Sequence, residues 1–363
     1  MGLGLIRIVL AVSVLITHSI YSTALSIPGA IAVKLFFIIS GFYMAMILCE
    51  KYADHRSLFY RNRFLRLYPL YITTVALILL FGAVTAVVHG RAINNSFAIL
   101  NDYQDNRLSL STSVFLLVSN ISMLFQDVLF FLGPDAHGNL MWATKDQMAA
   151  VPFFSYLLIP QAWSLSLEII FYAAAPFVVK RVNRILLWMG ASIIVRTALF
   201  ILNFNEEQFI YRFFPAELVF FLAGSLSYHA HQKIQISFLA NYDRYVAAAI
   251  VLTIGGYQLI PAHLEVGVRL GLYVALAVSI PYIFHRSRNN AFDNQIGELS
   301  YPFYILHLFT YQVLLVVAPR VGINTKGLIF LLAWIASTLA LSHVLIRVVQ
   351  TPFELMRRRA LQR

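Results

Sequence analysis

Apolar runs of about 20 residues follow one another along this chain with short, arginine-bearing segments between them, and one such run is what a helix needs to cross a hydrocarbon core roughly 30 Å thick. They fall near residues 3–22, 30–49, 70–89, 162–180, 184–202, 211–230, 244–260, 266–285, 297–317 and 326–349. No soluble core requires so much apolar surface: 60% of the residues are hydrophobic, 12% are charged and the mean hydropathy is +0.75. A backbone in lipid must satisfy its own polar groups, which helices do within one segment. The expected fold is therefore an all-α membrane protein of about ten transmembrane helices. A signal peptide is rejected, because the first run has no small-x-small cleavage pattern and a second span follows closely.

The net charge of +11 belongs to the connections. Lys51, Arg56, Arg61, Arg63 and Arg66 lie in 50–69, further basic residues in 180–184, 231–244 and 285–288, and a basic tail occupies 350–363. The alternate connections, 203–208, 261–265 and 318–326, are acidic or weakly basic. Positive residues stay on the cytoplasmic side, so both termini are expected there. No basic-aromatic surface module accompanies the charge, so membrane lipid and not nucleic acid is the expected partner. The single cysteine, Cys49, excludes an intramolecular disulfide and any cysteine-based metal cluster, and no metal site is expected.

Residues 113–132 resist this scheme, being apolar enough to span yet carrying Asn120, Gln126 and Asp127. Counting them as a span would reverse every later loop. We read 90–161 as an outward-facing region whose 113–132 part is a re-entrant element shielded by protein; the competing reading is an eleventh span. No repeat or linker divides residues 1–349, which form one membrane domain.

Arg7 and His18 stand at opposite ends of one apolar stretch, roughly 16 Å apart along a helix axis. Ionisable residues inside a span are costly and point to function. Arg7 could simply snorkel to headgroups, but Arg61, Arg63 and Arg66 add guanidiniums at the same face. Arg63 and Arg66 share a helix face, and Pro69 is expected to end or kink that turn. Guanidinium forks suit phosphates, although ordinary positive-inside charge is the competing reading. His18, towards the outer half, has the near-neutral titration a general base needs. Glu168, just inside the run that opens at Trp163, lies at a similar depth and could orient His18. Ser40-Gly41 reads first as a close helix contact, and Lys34 as a snorkelling cation. Tyr304 and His307 share a face in the ninth span, with Ser300 and Tyr301 a turn earlier.

The order of these marks resembles the acyltransferase-3 family of integral membrane acyltransferases over essentially the whole chain. The resemblance rests on Arg7 with His18, Arg63 with Arg66 before Pro69, the segment from Phe36 to Phe42 around Ser40-Gly41, Trp163 through Glu168 to Tyr172, and Ser300-Tyr301 with His307. Acidic residues often stand in the family where this chain has Lys34 and Ile169, and no role is assigned to those two. The chain stops soon after its last run, so the esterase-like domain fused to some relatives is not expected.

The resemblance implies an O-acyltransferase of the bacterial inner membrane with no bound cofactor, using acyl-CoA, by default acetyl-CoA, as donor. Arg7, Arg61, Arg63 and Arg66 would meet the donor's phosphates. His18, assisted by Glu168, would take the proton of a saccharide hydroxyl arriving from outside. Ser40, Trp163, Ser300, Tyr301, Tyr304 and His307 would line the acyl or acceptor cavity. A transporter of a lipid-linked saccharide is the rival, since buried charge also marks translocation paths, but no inverted repeat supports it.

Overall fold

A computed structural model describes residues 2–52, 55–143, 152–204, 206–233 and 237–359. All ten expected runs are helical: α1 (Leu3–Thr17), α2 (Gly29–Glu50), α3 (Arg56–His89), α6 (Trp163–Val178), α7 (Val182–Ile201), α9 (Phe214–Lys233), α10 (Ser237–Gly255), α11 (Ala262–Ser287), α12 (Ala291–Val317) and α13 (Leu328–Leu345). Shorter helices are α4 (Ala98–Gln104), α5 (Leu110–Ser122), α8 (Glu207–Tyr211) and α14 (Thr351–Arg359). The only strands among the described residues are β1 (Leu132–Pro134) and β2 (Leu140–Trp142), an antiparallel hairpin. The chain is an all-α membrane protein, with seven helical segments among the described residues long and apolar enough to cross a bilayer.

The expected spans are not equal. α1 has 15 residues and α6 has 16, too few for a full crossing at 1.5 Å per residue. Both pack on α2, and α1 also packs on α12, α10 and α11, so neighbouring protein replaces the lipid that a lone short helix would have to face. α2 is the bundle's centre, with 72% of its apolar window buried, whereas α7 lies at the rim with 11%. Outward-facing Leu187, Ile194 and Phe200 on α7 suit contact with acyl chains.

Glycines set the close approaches. A Cβ on Gly41 would lie 1.7 Å from the Phe221 carbonyl oxygen, and one on Gly224 would lie 1.8 Å from that of Ile38. α2 and α9 therefore touch backbone to backbone, and Ser225 Oγ donates to the Gly41 carbonyl at 3.0 Å. The expected packing role holds for Gly41, while Ser40 points elsewhere. Gly41→Ala is expected to destabilise the bundle by about 1–3 kcal/mol or more, through overpacking against an unyielding backbone. Thermal unfolding in detergent, read against Gly190→Ala, whose Cβ would meet nothing within 4 Å, checks it; equal melting points would remove the close-contact argument.

α3 corrects the expectation of a loop over 50–69. It runs 34 residues without a break through Pro69, about 51 Å of helix. A proline deletes one intrahelical donor, the one that would meet the Leu65 carbonyl, yet α3 continues past it. Its length exceeds a hydrocarbon core of roughly 30 Å, and the first turns of α3 carry Arg56, Arg61, Arg63 and Arg66. The tail is likewise helical where described: α13 continues through a π-turn, Ile346–Gln350, into α14, while 360–363 lie outside the described residues.

Residues 113–132 form no continuous span. α5 ends at Ser122, with Met123 and Phe125 at positive φ, and its 13 residues rise about 20 Å. Asn120, Gln126 and Asp127 each have a protein partner. Asn120 bonds the Tyr156 carbonyl and the Leu158 amide, Gln126 donates to the Tyr71 hydroxyl at 2.6 Å, and Asp127 accepts from Ser166 at 2.6 Å. Part of the surrounding region, 144–151, lies outside the described residues. In the hairpin turn, the Asn139 and His137 amides donate to Asp135 at 2.8 Å each and hold its carboxyl below the usual range.

Candidate functional site

The start of α1 is pinned by its neighbour. Asp293, in the first turn of α12, accepts from the Gly4 and Leu5 amides at 2.8 and 3.1 Å, a carboxylate satisfying the open donors of a helix N-terminus. Gly4 and Gly297 allow the approach: a Cβ on Gly4 would sit 1.8 Å from the Asp293 carbonyl oxygen, and one on Gly297 would sit 2.9 Å from the Gly4 Cα. Arg7 follows one turn later, on the same cavity wall as Tyr43 of α2.

Arg7 opens into a cavity of about 770 Å³, mouth included, walled by α1, α2, α3, α6 and α12. Arg63 and Arg66 of α3 line it with Arg7, as do Ser40, Glu168, Ser300, Tyr301 and Tyr304. The sequence pattern thus converges here from five helices. Arg63 lies against the Tyr172 ring at 5.9 Å. Arg61 does not join the wall; it is exposed on α3, because two residues along a helix turn a side chain to another face.

Glu168 is not the partner of His18. Its Oε1 accepts from Ser40 Oγ at 2.7 Å and from the Tyr172 hydroxyl, inside the arginine-lined wall. Depth along the axis was similar, but the azimuth of α6 aims the carboxylate at α2. Trp163 is also elsewhere: it is buried among Phe130, Tyr211 and Arg212, bracing α6 against the 90–161 region. Lys34 does not snorkel. It is 8% exposed and pairs with fully buried Glu217 at 3.7 Å, which Arg196 also meets at 2.9 Å.

His18 closes α1 as its C-cap and borders a second cavity of about 580 Å³. Between the two cavities stands α12. Tyr304 lines the first; its hydroxyl is bonded to Gln161 and Ser164, and its ring lies 6.3 Å from Phe36. One turn on, His307 is fully buried, with its ring centroid 5.4 Å from that of His18. His307 Nδ1 lies 2.7 Å from the Tyr304 carbonyl. A carbonyl only accepts, so Nδ1 carries the hydrogen and Nε2 is left with a lone pair; that nitrogen is buried with no hydrogen-bond partner among the described residues.

Sequence reasoning missed Tyr43, Phe36, Tyr311 and Trp334. The first two were within reach, since Phe36, Ser40 and Tyr43 follow one another at helical spacing on α2, and Tyr311 lies four residues beyond His307. Trp334 carried no local signal; its indole N–H donates to the His307 carbonyl at 2.6 Å from another helix.

No curated protein and no solved structure matches this chain. A family model described as an acyltransferase domain matches residues 2–347.

Proposed function

Because the chain belongs to the acyltransferase-3 family and is a membrane acyltransferase, we propose that it moves an acyl group, acetyl by default, from cytoplasmic acyl-CoA to a saccharide hydroxyl on the outer side, with His18 as general base. The observation that carries this reading is one line of contacts: three arginines walling one cavity, a histidine on another, and the rings of Tyr304 and His307 linking the first cavity to that histidine. The arginine-bearing end faces the cytoplasm by the positive-inside rule, where nucleotide phosphates are available to Arg7, Arg63 and Arg66. The pantetheine arm then points along the bundle axis, past Ser40, towards Tyr304.

In the reaction, the imidazole of His18 takes the proton as the acceptor oxygen attacks the thioester carbonyl carbon. The carbon–sulfur bond then breaks, and the imidazolium returns the proton to the departing CoA sulfur, giving an ester and free thiol. Phe36 and Tyr304 close the arginine cavity short of His18, so transfer requires those rings to part. Glu168, held by Ser40 and Tyr172, balances the guanidiniums and is a positioning residue, not His18's partner.

The test is purified protein in vesicles supplied with radiolabelled acetyl-CoA on the arginine-bearing side. Thioester loss with label fixed on a glycan is expected; glycan movement across the membrane without thioester loss would replace the enzyme with a transporter.

A further inference from the structure

The cavity on which His18 sits has its own character. Its walls come from the turn after α1, from α12, and from the loop and first turns of α13; they include Tyr21, Tyr311, Thr325, Lys326 and Trp334. Tyr21 reaches across to the Lys326 carbonyl at 3.4 Å. Tyr311 leans on Trp334 with centroids 4.6 Å apart, and the Trp334 indole is fixed by the His307 carbonyl. Half-buried Tyr21 and Tyr311 keep part of their rings open, while Trp334 is 1% exposed and serves as the floor. Lys326 is exposed at the rim, and among the described residues no carboxylate lines the space.

Rings that can meet an apolar face, hydroxyls and backbone groups that can meet a polar edge, and one cation without an opposing acid form a specific set. A pyranose has such a face and such an edge, as a site of few placed polar groups on an aromatic wall would require. We propose that this cavity is the acceptor site, that Tyr311 with Tyr21 stacks one sugar ring over His18, and that Lys326 favours a saccharide bearing a carboxylate. The proposal rests on the reading of His18 as the base.

The experiment uses the reconstituted full chain, radiolabelled acetyl-CoA, and two surrogate acceptors, 4-nitrophenyl β-glucoside and 4-nitrophenyl β-glucuronide. The glucuronide is expected to show the lower KM. Tyr311→Ala raises KM for both by up to about tenfold, the scale of one lost ring contact. Lys326→Ala, an exposed position that the fold tolerates, raises KM for the glucuronide alone by about threefold, as one exposed ion pair would. The KM for acetyl-CoA stays put in both. Unchanged acceptor KM values in both variants, or failure of the wild type to label either surrogate while still consuming thioester in a His18-dependent way, overturns the acceptor site and leaves the acyl-transfer reading standing. Absence of any His18-dependent thioester loss in the wild type instead sinks the reading beneath it.

Discussion

His18→Ala is expected to lower acyl transfer by about 10²–10⁴-fold, the usual contribution of a positioned general base. The loss should fall on kcat and leave donor affinity alone, because His18 borders the second cavity and none of the arginine-lined wall. Folding should survive: His18 is exposed at the end of α1, and among the described residues no hydrogen bond from its side chain holds another helix. Initial rates of label transfer, with CoA binding measured on the same preparations, check both halves. Wild-type transfer in a well-folded His18→Ala protein would remove the base, and His307 Nε2, buried beside it with no hydrogen-bond partner among the described residues, would become the next residue to test.

Arg66→Ala and Arg7→Ala should produce the opposite split. A guanidinium bonded to phosphate is worth about 1.5–3 kcal/mol, so each substitution is expected to raise the KM for acyl-CoA roughly 10- to 100-fold with a smaller change in kcat. Lysine at either position keeps the charge without the two-pronged geometry and should recover only part of the loss. Arg61→Ala is the internal comparison, since that side chain lies exposed outside the cavity wall; it should change KM by less than about twofold, in line with an exposed charge. Calorimetric titration of CoA into detergent-solubilised protein measures the same contrast without turnover. Equal effects at Arg61 and Arg66 would reduce the arginines to ordinary surface charge.

Much of this was written locally. An apolar run long enough to span becomes a helix in lipid because its backbone has no other way to bond, so all ten helices could be placed from the positions of the apolar runs. Helical spacing also brought Tyr304 and His307 to one face, and Arg63 and Arg66 to another. Arg61 was misplaced because its charge was counted without regard to that spacing, and the presence of Pro69 suggested a stop that α3 does not make. Lys34 was misread for a different reason: its partner Glu217 lies on α9, and no local pattern announces a pairing between α2 and α9.

What the sequence determined by itself was position along each helix axis: which residues are apolar, at which end the guanidiniums gather, and how far His18 lies from Arg7. Only the tertiary structure decided which side chains share a space. That depends on how each helix is rotated about its axis, and rotation is fixed by contacts between distant segments, such as Gly41 against Phe221 and Gly4 against Asp293. Those contacts turned Glu168 towards Ser40 and the arginines, and set His307 and Tyr304 as the partition between two cavities where the sequence alone suggested one.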